Sequence, residues 1–179
     1  KYNITSVGIF LPSLTEPKSA KWVEDQISNL SPSCIVNATA FSAKNKNGVS
    51  PLDIGDVPIF QIALSTNDKK SWEKEDRGLS STNMAMHVAL PEIDGRIFAG
   101  VASFKKKMPT DLKLQFNEIK HETYKDGISS ITQKVKSWTK LQETSLKMKK
   151  PAVILSTYPG KKWQIAHAVG LDTISSVKE

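Results

Sequence analysis

Short apolar runs alternate along this chain with segments whose apolar residues recur every three or four positions. The short runs are rich in β-branched residues and predict buried strands over residues 4–11, 34–38, 57–64, 97–104 and 152–156. The helical spacing predicts helices over residues 19–30, 69–76, 80–88 and 127–149, with further helix after residue 163. This alternation predicts an α/β fold, in which a parallel or mostly parallel sheet is flanked by helices in Rossmann-like or flavodoxin-like layers.

Proline and glycine mark the segments that we expect to be irregular. Residues 41–56 form a predicted loop, and residues 90–95 are predicted to be irregular because they contain Pro91 and Gly95. Residues 112–116 show apolar alternation and predict an edge strand. Ligands bind beyond the carboxyl ends of strands in such sheets, so the loops of interest are residues 12–18, 37–56, 65–70 and 158–162.

Length and composition fit one domain. The chain has 179 residues, of which 39% are hydrophobic and 24% charged, and these are ordinary values for a folded domain. No apolar run approaches the roughly 20 residues of a membrane-spanning helix, and a single cysteine, Cys34, excludes an internal disulfide. Because the chain starts at Lys1 without an initiator Met, we expect residues 1–179 to be a single α/β domain excised from a longer protein.

The positive charge is concentrated in one part of the chain. Residues 105–150 contain twelve lysines and five acidic residues, which accounts for the whole net charge of +7. The segment holds no arginine, the residue that usually makes bidentate contacts with phosphates and bases. We interpret it as a solvated helix surface and predict no nucleic-acid partner; the alternative interpretation is a basic face for an acidic ligand or partner.

Two carboxylates lie two residues apart in the predicted irregular segment. Glu92 and Asp94 could act as a proton acceptor and a metal ligand, or Asp94 could bond to its own backbone in a turn. The three histidines are scattered and show no metal-binding spacing. The motifs GxGxxG and GxxxxGK[ST] are absent, so a self-contained NAD or ATP site is not expected.

Longer phrases of the sequence carry more information than these patterns. Between residues 56 and 105 the phrases are Asp56-Val57-Pro58, Gln61, Trp72, Arg77-Gly78-Leu79-Ser80, Met84-Ala85-Met86, Leu90-Pro91-Glu92, Asp94-Gly95-Arg96 and Ser103-Phe104-Lys105. Further phrases occupy residues 37–41, 152–159 and 169–173. In this order they resemble the large subunit of cobaltochelatase, CobN, which is similar to the H subunit of magnesium chelatase.

The resemblance implies a tetrapyrrole-handling protein. We expect the tetrapyrrole-binding part of an ATP-dependent metal chelatase large subunit, which inserts cobalt into a corrin during cobalamin biosynthesis. The substrates would be a corrin or porphyrin and a divalent metal (Co, Mg or Fe), and the full-length parent would be a ligase that forms nitrogen–metal bonds. ATP is expected only through AAA+ partner subunits. The expected location is cytoplasmic, with no transmembrane segment in this part.

The resemblance also implies the site residues. Glu92 is expected to be the proton acceptor or metal relay, and Asp94 is expected to be the second catalytic carboxylate beside it. The matched phrases supply the expected ligand-binding residues, which are Gln61, Arg77, Tyr158 and Asp172.

His87 and His167 stand where the family usually has Asn. Neutral imidazole binds Fe, Co or Zn well and Asn binds them poorly. We therefore expect His87 and His167 to be metal ligands that approach one another, or a shared ligand, at one end of the sheet. The alternative is that the two side chains are exposed or packed independently of each other. Two alternatives follow for the function: a CobN-like haem dechelatase, and a non-catalytic module for tetrapyrrole binding or subunit docking.

Overall fold

A computed structural model describes residues 4–76, 78–155 and 172–178. The chain divides into two compact units, Lys1–Gln142 and Glu143–Glu179. The strands are β1 Ile35–Asn37, β2 Ile59–Ser65, β3 Ile97–Asp111 and β4 Phe116–Thr123. The α-helices are α1 Pro17–Leu30, α2 Lys69–Lys74, α3 Ser81–Met84, α4 Leu90–Ile93, α5 Lys125–Glu143 and α6 Thr173–Lys178.

The four strands form one mostly parallel sheet in the order β1-β2-β3-β4. β1 pairs with β2 in parallel, with Asn37 beside Gln61. β2 pairs with β3 in parallel, and β4 returns antiparallel along β3. The mixed α/β fold with a mostly parallel sheet flanked by helices is therefore confirmed.

Neighbouring residues of β2 show that helices cover both faces of the sheet. Ile59 packs with Val23 and Ile27 of α1, while Phe60 packs with Ile131 and Val135 of α5. Because successive side chains of a strand point to opposite faces, α1 and α5 lie on opposite sides of the sheet. The predicted helix over residues 127–149 is shorter in the structure, where α5 ends at Glu143 and a 3₁₀ turn, Leu146–Met148, follows.

A continuous helical run leads from α3 into α4 through a π-helical segment, Ala85–Ala89. Ser80 caps its start, because its hydroxyl accepts a hydrogen bond from the Asn83 N–H. The prediction that residues 90–95 are irregular is wrong, since Leu90–Ile93 is helical. Pro91 lies in the first turn of α4, where the missing N–H is tolerated.

Three predicted strands are also wrong. Residues 112–115 form the turn of the β3–β4 hairpin, with Leu112 and Leu114 largely exposed, and Phe116 starts β4. Residues 4–11 and the described part of 152–156 lie outside the sheet, and Phe10 and Ile154 are 95% and 90% exposed. An apolar, β-branched run shows a preference for extended backbone, but a strand also needs a hydrogen-bonding neighbour.

Candidate functional site

A buried ion pair lies where the helical run ends and β3 begins. The Arg96 guanidinium donates to the Asp94 carboxylate at 2.9 Å, and neither side chain is more than 1% exposed. The same guanidinium donates to Gln61 Oε1 at 3.1 Å and to the Phe41 carbonyl at 3.4 Å. Burial lowers the pKa of Arg96, and the negative charge of Asp94 opposes this. Arginine suits such a position because its planar group presents several donors at fixed angles.

Asp94 also binds the loop that follows β1. One carboxylate oxygen accepts from the Ser42 hydroxyl, and the other accepts from the Ala43 N–H at 2.7 Å. The Lys44 ammonium donates to the Ile93 carbonyl at 2.8 Å, one residue before Asp94. Both oxygens of Asp94 are therefore engaged within the protein.

Gln61 completes this group of buried polar side chains. Its Oε1 accepts from Asn37 Nδ2 at 2.7 Å, and its Nε2 donates to the Thr39 carbonyl at 3.0 Å. We call Asn37, Gln61, Asp94 and Arg96 the Arg96 network. Gln61, expected as a ligand-binding residue, is 1% exposed and contacts the loop after β1 through these bonds.

The loop also contacts the π-helical segment directly. The Leu90 N–H bonds to the Ala85 carbonyl, five residues back, and the next such bond would need an N–H on residue 91, which proline lacks. The Met86 carbonyl instead accepts from the Phe41 N–H at 2.8 Å. The Phe41 N–H thus replaces the donor that Pro91 lacks, and Phe41 has a φ of +65°. π-Helical turns occur frequently at functional sites.

His87 lies inside this π-helical segment and is buried, with 5% exposure. Its Nδ1 is buried and makes no hydrogen bond among the described residues. Burial lowers the pKa of His87, and the nearby charge of His121 lowers it further. The imidazole is therefore neutral near pH 7 and keeps a lone pair that a metal or proton could use.

Glu92 occupies the opposite environment, since its side chain is exposed. Its carbonyl accepts from the Gly95 N–H at 2.8 Å, and the Pro91 carbonyl accepts from the N–H groups of Asp94 and Arg96. Gly95 has a φ of +78°, which glycine adopts without strain. The structure thus holds the backbone of Glu92 in a tight turn between the buried Arg96 network and solvent.

The remaining predicted site residues are distributed differently. Arg77, Tyr158 and His167 lie outside the described residues, so the expected approach of His87 and His167 stays a prediction. Asp172 immediately precedes α6 in the second unit, and its carboxylate accepts from the Ser175 N–H and hydroxyl. These bonds lower the pKa of Asp172 and give it the position of a helix cap.

The described residues contain neither a metal-binding cluster nor a membrane-spanning helix. No group of three or more His, Cys, Asp or Glu side chains within them is placed to hold a metal ion. No helix in the same part of the chain is long and apolar enough to cross a membrane.

The sequence profile of the CobN/Magnesium Chelatase family matches residues 1–179. The chain belongs to this family. The aerobic cobaltochelatase subunit CobN of Sinorhizobium sp is 27% identical over 179 residues, which cover 98% of this chain and 14% of the relative. The same subunit of Pseudomonas aeruginosa is 30% identical over 171 residues, covering 95% of this chain and 14% of the relative. The chain thus spans about one seventh of the length of the CobN proteins it matches.

A solved structure shows the same fold. The catalytic subunit of cobaltochelatase from Mycobacterium tuberculosis superposes with a TM-score of 0.71 and 24% identity, over 94% of this chain and 14% of that one.

An uncharacterized protein of Methanocaldococcus jannaschii is 33% identical over 121 residues, which cover 68% of this chain and 10% of the relative.

Sequence reasoning missed two buried polar residues of this CobN-family chain. Arg96 lies within a phrase that carried the resemblance, but its burial depends on contacts with residues 35 and 55 positions away. Asn83 is fully buried, and its amide bonds to Thr66 and Asn67, which follow β2, and to Ser80, which caps α3. The signal available for both was a polar residue beside the helical pattern, which does not distinguish a buried group from an exposed one.

Proposed function

We propose that this chain is the part of a metal chelatase large subunit that presents a proton acceptor to a bound tetrapyrrole during cobalt insertion. Family membership over residues 1–179 carries the proposal. Two features of the structure support it: the exposed Glu92 on a backbone held by buried contacts, and the buried His87, whose Nδ1 has no hydrogen-bond partner in the described part of the chain.

Metal insertion requires a base. When a divalent metal enters the macrocycle, the pyrrole N–H protons leave as nitrogen–metal bonds form, and each proton needs an acceptor. An exposed carboxylate on a fixed turn can take such a proton and release it to solvent. In this proposal Glu92 has that role, while Asp94, with both oxygens engaged, positions it.

His87 has the second role in this proposal. Its pKa is lowered by burial, so the imidazole is neutral near pH 7 and can act as one ligand to the metal on its way to the macrocycle. Imidazole is a suitable ligand for cobalt and iron. Further ligands would come from the macrocycle or from His167, the other predicted metal ligand.

ATP would act from outside this chain. The sequence contains no GxxxxGK[ST] motif, and AAA+ partner subunits would hydrolyse ATP and couple it to insertion. The cytoplasm is the proposed location because cobalt insertion belongs to cobalamin biosynthesis.

Spectral titration of the full-length large subunit with a metal-free corrin tests the binding part of this proposal. We expect a saturable change in the corrin spectrum, and the same dissociation constant for Glu92→Gln, because Gln keeps the size of the side chain and removes only the charge and the proton acceptor. A corrin spectrum that does not change on addition of protein would contradict the proposal and favour a docking module without a tetrapyrrole.

A CobN-like haem dechelatase is the second candidate, and the buried imidazole of His87 is the observation that favours it. Haem iron takes imidazole as an axial ligand. Titration of the full-length chain with haem should then shift the haem spectrum in the wild type and shift it less in His87→Asn. Identical spectra for the two proteins would leave cobalt insertion as the function.

A further inference from the structure

We propose that Arg96 is a positioning residue for Glu92: it holds the turn that carries the carboxylate by binding three separate segments from inside the protein. The inference rests on the proposed role of Glu92. The Arg96 side chain is fully buried, so Arg96 acts through the backbone of its own turn and not through contact with the substrate.

Backbone hydrogen bonds close the turn that carries Glu92. Glu92 is followed by three residues that reverse the chain, and Gly95 donates its N–H back to the Glu92 carbonyl at 2.8 Å. Arg96 closes the same turn, because its N–H bonds to the Pro91 carbonyl at 3.3 Å. Arg96 and Glu92 are therefore linked by covalent and hydrogen bonds within the six residues 91–96.

Three contacts hold the side chain of Arg96. Its guanidinium binds Asp94 in the turn, Gln61 in the central strand β2, and the Phe41 carbonyl in the loop after β1. Gln61 belongs to a strand that is paired on both sides. The contact with Gln61 therefore links the turn to the interior of the sheet. A single charged group with a fixed fork of donors can hold three acceptors in this way.

The residues of the turn differ in their exposure to solvent. Asp94 and Arg96 are buried, while Glu92 and Ile93 are exposed. A backbone held from within fixes the point from which the Glu92 side chain extends, and no hydrogen bond to its carboxylate is present among the described residues. Its oxygens then stay available to a substrate, as a proton acceptor requires.

Arg96→Met removes the three contacts and keeps a long apolar stem, so it tests the inference directly. In the full-length large subunit with its ATPase partners, we expect metal-insertion kcat to fall roughly 10- to 100-fold, the scale of a small misplacement of a reacting group. KM for the tetrapyrrole should change little. Arg96→Lys, which can keep the ion pair with Asp94, should recover part of the loss.

A double-mutant cycle with Glu92→Gln separates positioning from a general structural effect. If Arg96 acts through Glu92, Arg96→Met should lower kcat by less than about twofold in the Glu92→Gln background, because the group that it positions is already inactive. Equal losses in both backgrounds would overturn the inference. Full activity of Glu92→Gln alone would overturn the proposed role of Glu92, and the role of Arg96 with it.

Two further variants control for folding. Lys134 lies on α5, on the face of the sheet opposite the Arg96 network, and its ammonium donates to the Ala99 carbonyl of β3 at 2.7 Å. Lys134→Met removes this cation, and we expect wild-type kcat. If Arg96→Met does not fold, Ser42→Ala removes one hydrogen bond to Asp94 at the edge of the same network. Ser42→Ala should show a smaller fall in kcat that also disappears in the Glu92→Gln background, and an equal fall in both backgrounds would contradict the inference.

Discussion

Two buried side-chain nitrogen atoms lie close to the proposed site. His87 Nδ1 and Arg96 Nε are both buried and make no hydrogen bond among the described residues. A buried donor or acceptor without a partner costs about 1–3 kcal/mol, so each is retained against a penalty. Glu92 could be chosen from the sequence because the resemblance drew attention to it, whereas Arg96 could not, because its partners are distant along the chain.

The burial of His87 predicts a pH dependence of folding stability. Its folded pKa lies below the ordinary value of 6.5, so the unfolded chain binds the proton more tightly. The stability is therefore fully present above about pH 6.5 and is lost as the pH falls through the folded pKa. Urea unfolding between pH 7.5 and 5 should show a smaller decline in His87→Asn than in the wild type.

The control for this measurement is the exposed histidine nearby. His121→Asn leaves the buried imidazole in place and should keep most of the pH dependence, reduced slightly because the charge of His121 also lowers the pKa of His87. Wild type and His87→Asn losing stability in parallel would show that the imidazole of His87 is not held neutral by burial.

The ion pair of Asp94 and Arg96 predicts a large effect on stability. Removing one partner of a fully buried pair leaves an uncompensated charge and costs about 3–5 kcal/mol. We expect Asp94→Asn to lower the free energy of unfolding on that scale, measured by urea unfolding. Glu118→Gln, which removes an exposed pair with Lys120, should change it by less than about 1 kcal/mol. Equal changes would mean that the buried pair contributes no more than an exposed one.

Among the helices and strands, the local sequence pattern predicted those that depend on neighbouring residues. It did not predict those that depend on contacts with distant parts of the chain. The helix α1 and the strands β1, β2 and β3 follow from periodicity and apolar runs. The helix predicted over residues 80–88 is present, but its continuation through residues 89–93 was not predicted, because Pro91 is typical of a helix end. The structure shows that the Met86 carbonyl, which has no N–H partner on residue 91, accepts from the Phe41 N–H instead. The long β3–β4 hairpin was also missed, since β4 is exposed along its whole length and shows no core pattern.

The start of α5 predicts an unusual response to a helix-favouring substitution. A Cβ at Gly127 would lie 2.0 Å from the Val101 carbonyl oxygen and 2.5 Å from the Tyr124 ring. Gly to Ala normally stabilises a helix by about 1 kcal/mol, but here we expect Gly127→Ala to destabilise the fold by roughly 1–3 kcal/mol through overpacking. Urea unfolding measures the difference.

An exposed position of the same helix provides the comparison. Gln133→Ala lies on the solvent side of α5 and should leave the stability unchanged within about 0.5 kcal/mol. A Gly127→Ala variant as stable as Gln133→Ala would mean that α5 does not approach β3 as closely as described.

At the scale of the whole molecule, the chain represents about one seventh of the CobN proteins that it matches. Its fold class and family could be recognised from the sequence, because phrases such as Leu90-Pro91-Glu92 occur in a fixed order over most of the chain. The assembly of a substrate site from its residues could not, since that depends on contacts among distant segments.

The proposed assignment of ATP hydrolysis to partner subunits gives a prediction for the whole chain. The purified chain alone should show no ATP hydrolysis above background, because its sequence lacks a phosphate-binding loop motif. A phosphate-release assay with magnesium and ATP checks this. Saturable, magnesium-dependent turnover that persists through further purification would contradict the assignment of ATP hydrolysis to partners.

Glu92 is proposed to accept a proton during metal insertion, and the turnover number of Glu92→Gln measures that role. We predict that full-length Glu92→Gln, assayed spectrally with its ATPase partners, cobalt and a metal-free corrin, loses roughly 10²- to 10⁴-fold in kcat. Glu118→Gln, an exposed glutamate of β4, should keep wild-type turnover. Normal kcat in a correctly folded Glu92→Gln protein would contradict the account and leave Glu92 as a residue of the turn alone.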